Sequence, residues 1–162
     1  MSRLDGFIRR LEAQRDCLNA VARLVGDRPG PVLEVGLGNG RTYDHLRALF
    51  PGRAIYVFDR AVLAHPDCIP PADMMRLGDF RETLPKFRAE GARAVLIHAD
   101  IGTGDKAASL ALARDLAPSL AALLAPGGYL ATDQPMEEAR LERQPLPAGA
   151  AEGRYHFYRA AG

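Results

Sequence analysis

The chain has 162 residues, of which 48% are hydrophobic and 25% are charged, and its formal net charge is +1. This size and composition are typical of one globular domain that buries a core of its own. The near-neutral charge with scattered arginines argues against a nucleic-acid partner, and the sequence lacks the apolar run of about 18 residues that a membrane span needs.

The first predicted element is an amphipathic helix over residues 3–25. Its apolar residues recur at the spacing of one helix face, with arginines and acids between them: Leu4, Phe7, Ile8, Leu11, Leu18, Val21, Ala22 and Val25. This face must be buried, either against the sheet of the same chain or against a second copy. Because the face runs for about six turns, longer than the edge of one sheet needs, we predict a homodimer through this helix.

Strand-like and helix-like segments alternate after this helix. The predicted strands are 32–35, 54–58, 74–77, 94–98 and 129–132. The predicted helices between them are 42–50, 81–90 and 106–124. The alternation predicts an α/β fold with a mostly parallel sheet and helices on both faces. A last strand over 155–159, paired with a segment near 141–146, predicts an antiparallel C-terminal hairpin.

The most informative motif runs from Val32 to Arg41 and reads Val-Leu-Glu-Val-Gly-Leu-Gly-Asn-Gly-Arg. An apolar run ends in an acid and passes into three alternating glycines, which let the backbone turn sharply and expose its N–H groups. This order indicates a strand, a tight turn and a helix at a ligand-binding corner, although an ordinary strand–helix turn would look similar. A dinucleotide-binding turn has its third glycine where this chain has Arg41, so a nucleotide-binding oxidoreductase is disfavoured.

The motif resembles motif I of the class I S-adenosylmethionine-dependent methyltransferases, and three later segments fit that family in order and spacing. Asp59 ends the second predicted strand, nineteen residues after Gly40. The third and fifth strands are marked by Gly78-Asp79-Phe80 and by Pro126-Gly127-Gly128. The resemblance covers about residues 31–133 and implies a single-domain Rossmann-like methyltransferase fold.

The resemblance also implies a site for S-adenosyl-L-methionine at the carboxyl ends of the strands. It places Asp59 at the ribose, where a carboxylate accepts from two hydroxyls, and Asp79 with Phe80 at the adenine. The full implied set is Glu34, Gly36, Leu37, Gly38, Asn39, Gly40, Thr42, Asp59, Arg60, Gly78, Asp79, Phe80, His98 and Ala99. Two alternatives stand beside it: Asp79 as the cap of the following helix, and His98 as a packed core histidine.

Asp100 and Asp133 are the candidate catalytic residues because they follow the fourth and fifth predicted strands, whose ends meet at the crevice. Asp105 is first a candidate helix cap. Methyl transfer needs an oriented acceptor in a dry site, and a base is helpful rather than obligatory. The catechol-type O-methyltransferases hold a metal with an acid and an asparagine where this chain has His98 and Gln134, so we expect no metal.

We therefore predict one domain over 1–162, made of an N-terminal helix (1–28), a cofactor-binding core (31–133) and a C-terminal hairpin region (134–162). The predicted function is methyl transfer from S-adenosylmethionine to a small-molecule acceptor. The alternative is a non-catalytic protein that binds S-adenosylmethionine or S-adenosylhomocysteine. Cys17 and Cys68 are far apart, and no signal-like segment precedes them, which predicts a reduced cytoplasmic protein without a membrane partner.

Overall fold

A seven-stranded sheet forms the centre of the molecule in a computed structural model that describes residues 2–162. The strands are β1 (Val32–Val35), β2 (Ile55–Asp59), β3 (Met75–Leu77), β4 (Ala94–Ala99), β5 (Leu124–Thr132), β6 (Leu141–Arg143) and β7 (His156–Ala160). Their order across the sheet is β3-β2-β1-β4-β5-β7-β6. The first five strands along the chain are parallel, and β7 pairs antiparallel with both β5 and β6.

Four helices cover the two faces of the sheet. They are α1 (Arg3–Val25), α2 (Arg41–Leu49), α3 (Phe80–Ala89) and α4 (Lys106–Leu123), with short 3-10 turns at Pro66–Cys68 and Ala72–Met74. Buried apolar residues form two clusters, one between the sheet and α1 with α2 and the other between the sheet and α3 with α4. The predicted α/β fold with helices on both faces is therefore confirmed.

Helix α1 has the predicted bounds and buries the second half of its apolar face. Ser2 and Asp5 cap its amino end reciprocally, and Gly26 follows its last residue. From Ala13 onward the apolar face is buried against the sheet and α2, and Val21 is fully enclosed. In the first two turns the apolar side chains stay exposed, so the sheet of the same chain covers only part of the face.

The antiparallel C-terminal hairpin is also confirmed. Leu141 pairs with Ala160, and Tyr129 of β5 pairs with Arg159 of β7. Strand β5 begins at Leu124, earlier than predicted, because pairing with β4 already starts there and resumes with a shifted register after the Pro-Gly-Gly segment, where Gly127 has φ +68°. Within residues 2–162 no helix is long and apolar enough to cross a membrane.

Candidate active site

The carboxyl ends of β1, β2, β4 and β5 surround a crevice at the point where the strand order reverses, between β1 and β4. Three adjoining cavities make up this crevice. The β2-side cavity (about 340 Å³) contains Asp59, Asp79 and Phe80. The central cavity (about 250 Å³) lies between the turn after β1 and helix α1, and the β5-side cavity (about 350 Å³) contains Asp133 and Lys106. Gly102 lines all three, so they adjoin at this residue.

The turn after β1 needs its first and third glycines for packing and leaves the middle one open. Gly36 has φ +94°, and a Cβ there would collide with the backbone carbonyl oxygen of Asp100. A Cβ on Gly40 (φ +86°) would lie 2.6 Å from the Cβ of Cys68. Gly38 (φ +50°) has no atom within 4 Å of the same position and lines both the central and β2-side cavities. The space on the Cβ side of Gly38 is therefore open to a ligand.

Asp59, at the end of β2, holds this turn in place. Its Oδ2 accepts from the backbone N–H groups of Leu37 (2.8 Å) and Gly38 (3.3 Å). Its Oδ1 accepts from the N–H of Arg60 at 2.6 Å. Because each carboxylate oxygen has two acceptor sites, Asp59 keeps acceptor capacity toward the β2-side cavity that it lines.

Asp79 caps helix α3, as the capping alternative predicts, and also lines the β2-side cavity. Its Oδ1 accepts from the N–H of Arg81 at 2.9 Å, and its Oδ2 accepts from the Arg60 guanidinium at 2.8 Å. The Arg81 N–H and the Arg60 side chain lower the pKa of Asp79 below its ordinary value. Phe80, the first residue of α3, lines the same cavity, and Gly78 precedes the cap at φ +141°. Asp105 caps α4 in the same manner.

A chain of buried polar side chains lies beneath the glycine turn. Glu34 and His98 are both fully buried, and Glu34 Oε2 lies 2.6 Å from His98 Nδ1. The Thr42 hydroxyl donates to the other Glu34 oxygen, and His98 Nε2 bonds the hydroxyl of fully buried Tyr155. Gln14 of α1 continues the chain with a bond from its Nε2 to that hydroxyl at 3.2 Å. The side chains of Glu34 and His98 therefore lie under the crevice and do not line its surface.

The last link of this chain is Asp100, which directly follows β4. Its Oδ1 and Oδ2 accept from Nη2 of Arg10 at 2.8 and 3.1 Å, and Oδ2 also accepts from Nε2 of Gln14 at 3.1 Å. Both donors belong to α1, so this carboxylate fastens the helix over the sheet. Ala99, the strand residue before it, is fully buried.

When His98 is neutral, the Asp100 carboxylate determines which group donates and which accepts in each hydrogen bond between these buried side chains. A carboxylate only accepts, so the nitrogen of the Gln14 amide must face Asp100, and its second hydrogen reaches Tyr155. The Tyr155 hydrogen is then free to donate to His98 Nε2, which leaves Nδ1–H to donate to Glu34. Every donor in the chain has an acceptor in this arrangement.

Burial and nearby carboxylates act in opposite directions on the buried titratable groups. Burial opposes a charge on His98, but the nearby carboxylates of Glu34, Asp100 and Asp133 together outweigh burial, so the pKa of His98 is raised above its ordinary value. Burial, with a smaller effect from Asp100, raises the pKa of Tyr155 well above its usual range. Tyr155 therefore keeps its proton at neutral pH.

Asp133 follows β5 beside Asp100, as predicted from the strand order. Its backbone N–H donates to the carbonyl of Ala99 on β4. Its carboxylate accepts from the backbone N–H groups of Ile101 (3.0 Å) and Gly102 (2.9 Å) and from Nε2 of Gln134 (3.0 Å). Burial, reinforced by the charge of Asp100, raises the pKa of Asp133. Across residues 2–162, no three His, Cys, Asp or Glu side chains are grouped as metal ligands would be.

The predicted site residues thus fall into two sets. Those that line the crevice are Gly36, Leu37, Gly38, Asn39, Gly40, Thr42, Asp59, Arg60, Asp79, Phe80 and Asp100, with Asp133 in the β5-side cavity. Those that do not line it are Glu34, Gly78, His98 and Ala99. Sequence analysis missed Arg10, Gln14 and Tyr155. Gln14 left a signal, since a polar residue stands on the apolar face between Leu11 and Leu18. No local pattern marks Tyr155.

Comparisons with known proteins agree with this architecture. A family model described as S-adenosyl-L-methionine methyltransferase matches residues 1–160. The solved S-adenosyl-L-methionine methyl transferase from Silicibacter pomeroyi DSS-3 is 45% identical, with a TM-score of 0.95 over 99% of each chain. A search of curated proteins finds no match.

Two more distant structures share the fold. TrmN from Thermus thermophilus is 23% identical (TM-score 0.61), and the alignment covers 88% of this chain and 46% of that one. The MycE methyltransferase from the mycinamycin biosynthetic pathway, solved with Mg and S-adenosylhomocysteine, is 15% identical (TM-score 0.56), with 88% and 44% covered.

Proposed function

Because the chain belongs to the S-adenosyl-L-methionine methyltransferase family, we propose that it transfers the methyl group of this cofactor to a small-molecule acceptor within the crevice. The observation that carries the proposal is the open space beside Gly38, where an ideal Cβ has no atom beyond the chain neighbours within 4 Å, in a cavity that the carboxylates of Asp59 and Asp100 also line. A sulfonium cofactor supplies an electrophilic methyl group, so the protein's task is to bind, orient and exclude water.

The residues of the crevice fit the chemical groups of the cofactor. In the β2-side cavity, Asp59 and Asp79 offer acceptors for the ribose hydroxyls and an adenine amino group, and Phe80 offers an apolar face for the ring. In the central cavity, the turn offers the backbone N–H groups of Asn39 and Arg41, which have no partner within residues 2–162. Phe7 and Leu11 line the same cavity and offer apolar surface for the methionine part. Glu34 and His98 take part from below, by holding Thr42 and Tyr155 in place.

Asp100 and Asp133 are proposed to act on the acceptor. Arg10 and Gln14 hold the Asp100 carboxylate at the junction of the central and β2-side cavities, where it can accept a hydrogen bond from a nucleophile. The raised pKa of Asp133 makes its carboxylate a better proton acceptor near neutral pH than an exposed aspartate. Helix α1 completes the site on one side, since its Arg10 and Gln14 contact Asp100.

Label transfer tests this function directly. The protein is incubated with methyl-labelled S-adenosylmethionine and a low-molecular-weight cell extract, and labelled products are separated from the cofactor. We expect a labelled small molecule and one S-adenosylhomocysteine for each methyl transferred. The Asp59→Ala variant is the control, because it should lose cofactor binding and label transfer together. Tight cofactor binding without any transfer would favour the non-catalytic alternative.

We also propose that the exposed start of α1 forms a homodimer contact. Leu4, Phe7 and Ile8 are 65%, 46% and 44% exposed, which is unusual for three apolar residues on one helix face. In the dimer, Leu4→Glu should lower the sedimentation coefficient to that of a monomer. Leu24→Glu, at the other end of the same helix and 51% exposed, should leave it unchanged. A parent protein that sediments as a monomer at micromolar concentration would contradict the proposal.

The compartment and the remaining partners are proposals of the same kind. We propose a cytoplasmic enzyme without a nucleic-acid partner. Two observations support this: both cysteines are free, and the arginines near the crevice pair with acids, as Arg60 does with Asp79 and Arg81 with Asp115. Binding to a phosphate backbone needs a surface of unpaired basic side chains, whereas these arginines are paired with acids.

A further inference from the structure

Building on the proposed methyl transfer, we propose that the β5-side cavity binds an acidic group of the acceptor, so that the substrate is a small molecule carrying a carboxylate or a phosphate. Arg10 and Lys106 supply the positive charges, and both line this cavity. The cavity adjoins the central cavity through Arg10 and Gly102, which is where an acceptor must lie to reach a methyl group.

The Arg10 guanidinium has unused hydrogen-bond donors. Both of its bonds to Asp100 come from one nitrogen, Nη2. Within residues 2–162, Nε and Nη1 of Arg10 have no hydrogen-bond partner, and the side chain is 35% exposed. A guanidinium carries five N–H donors in a planar fork, so Arg10 can hold Asp100 and still bind a second anion.

The acidic side chains of the same cavity already accept hydrogen bonds from other groups of the protein. Asp133 accepts from two backbone N–H groups and from Gln134, and Asp105 accepts from the N–H of Ala108 at 2.7 Å. Both carboxylates therefore face hydrogen-bond donors of the protein, whereas the unused donors of the cavity belong to the cationic side chains of Arg10 and Lys106. An acidic ligand therefore finds a surface with unused positive hydrogen-bond donors.

Lys106 adds a second cation at the start of a helix. It is the first residue of the 18-residue helix α4, is exposed, and makes no ion pair within the described part of the chain. The positive end of the helix dipole lies at the same place and increases the attraction for an anion. Lys106 is also one of only two lysines in the sequence, the other being Lys86 on α3.

This pair of lysines allows a binding test that needs no activity. The parent protein, saturated with S-adenosylhomocysteine and labelled with ¹³C-lysine, is titrated with benzoate, with phenyl phosphate and with neutral benzamide. Lys86→Gln assigns the two side-chain signals. We expect the Lys106 signal to shift and saturate with one or both anions and not with benzamide, while Lys86 stays unchanged. Which anion saturates first separates a carboxylate site from a phosphate site. Equal shifts of both lysines, or none, would overturn the proposal.

Label transfer gives the second test. The small-molecule extract is fractionated by anion exchange, and the fraction that accepts methyl groups should be retained on the column. With this fraction Lys106→Gln should raise KM roughly 10-fold, the loss of one charge-assisted hydrogen bond, while kcat and S-adenosylhomocysteine affinity stay near parent values. Lys86→Gln is the matched control and should behave as the parent.

The outcomes separate this inference from the function on which it rests. Transfer only to unretained fractions would refute the anionic acceptor and leave methyl transfer intact. A loss of S-adenosylhomocysteine affinity in Lys106→Gln would also refute it, because the cation would then serve the carboxylate of the cofactor. Absence of transfer in every fraction would refute the proposed function, and the lysine titration would then decide whether the cavity binds anions.

Discussion

Replacing Gly38 by alanine should weaken cofactor binding without unfolding the protein. An ideal Cβ built on Gly38 has no atom beyond its chain neighbours within 4 Å, so the new methyl group meets no other protein atom. The cost to stability is then the left-handed backbone at φ +50°, which is about 1–2 kcal/mol for a residue with a Cβ. The methyl group would occupy the space from which a ligand contacts the turn.

The expected loss of affinity follows from overpacking. A methyl group forced into a close-packed contact costs about 1–3 kcal/mol, which corresponds to a roughly 5- to 150-fold weaker binding of S-adenosylhomocysteine. Isothermal calorimetry measures this loss, and urea unfolding measures the change in stability. Together, the two measurements on this variant distinguish a loss of ligand affinity from a loss of folding stability.

Alanine variants of two other glycines serve as controls. Gly52 has φ +78° and also has no atom within 4 Å, but it lies in the turn after α2, away from the crevice. Gly52→Ala should therefore lose as much stability as Gly38→Ala and keep the affinity of the parent. Gly36→Ala should lose far more stability, since its Cβ meets the backbone of Asp100. Parent-like affinity in Gly38→Ala would refute the assignment of the glycine turn to the cofactor.

Three further predictions concern acids and a histidine. Asp59→Ala should weaken S-adenosylhomocysteine binding by about 1.5–3 kcal/mol in calorimetry, because a charged acceptor is lost, whereas equal affinities would remove Asp59 from the site. Asp100→Asn should lower turnover about 10²- to 10⁴-fold with little change in cofactor affinity, and an unchanged rate would exclude a role as base. The raised pKa of His98 stabilises the folded state fully below about pH 6.5, and this contribution is lost as the pH rises through the raised value. The difference in unfolding free energy between the parent and His98→Gln should therefore narrow above that pH, and a difference that grows would contradict the shift.

The sequence was sufficient for features that depend on nearby residues. The bounds of α1, the caps Asp79 and Asp105 and the strand alternation follow from spacing, capping chemistry and turn residues, and all three are observed. The pairing of the C-terminal hairpin was also predictable because its two strands are close along the chain. Local preferences and tertiary structure agree in these elements.

The side-chain chemistry beneath the turn was not predictable in this way. The end of an apolar strand gives His98 no visible partner, and its two partners, Glu34 and Tyr155, lie 64 and 57 positions away. Likewise, nothing near Asp100 indicates that Arg10, 90 positions earlier, holds it. Periodicity shows which face of an element is buried, but it does not show which polar groups meet there.

The contact between Gln14 and Tyr155 has a consequence for the order of assembly. These residues are 141 positions apart, so they meet only after all five parallel strands have been made. Closing so long a loop is slow, and the polar groups of Gln14 and His98 lack partners until Tyr155 arrives. A nascent chain can form the parallel core early, but the crevice acquires its final shape only when the C-terminal hairpin docks. Maturation of the site is thus a late event in folding, and variants at Tyr155 should slow the last kinetic phase rather than the first.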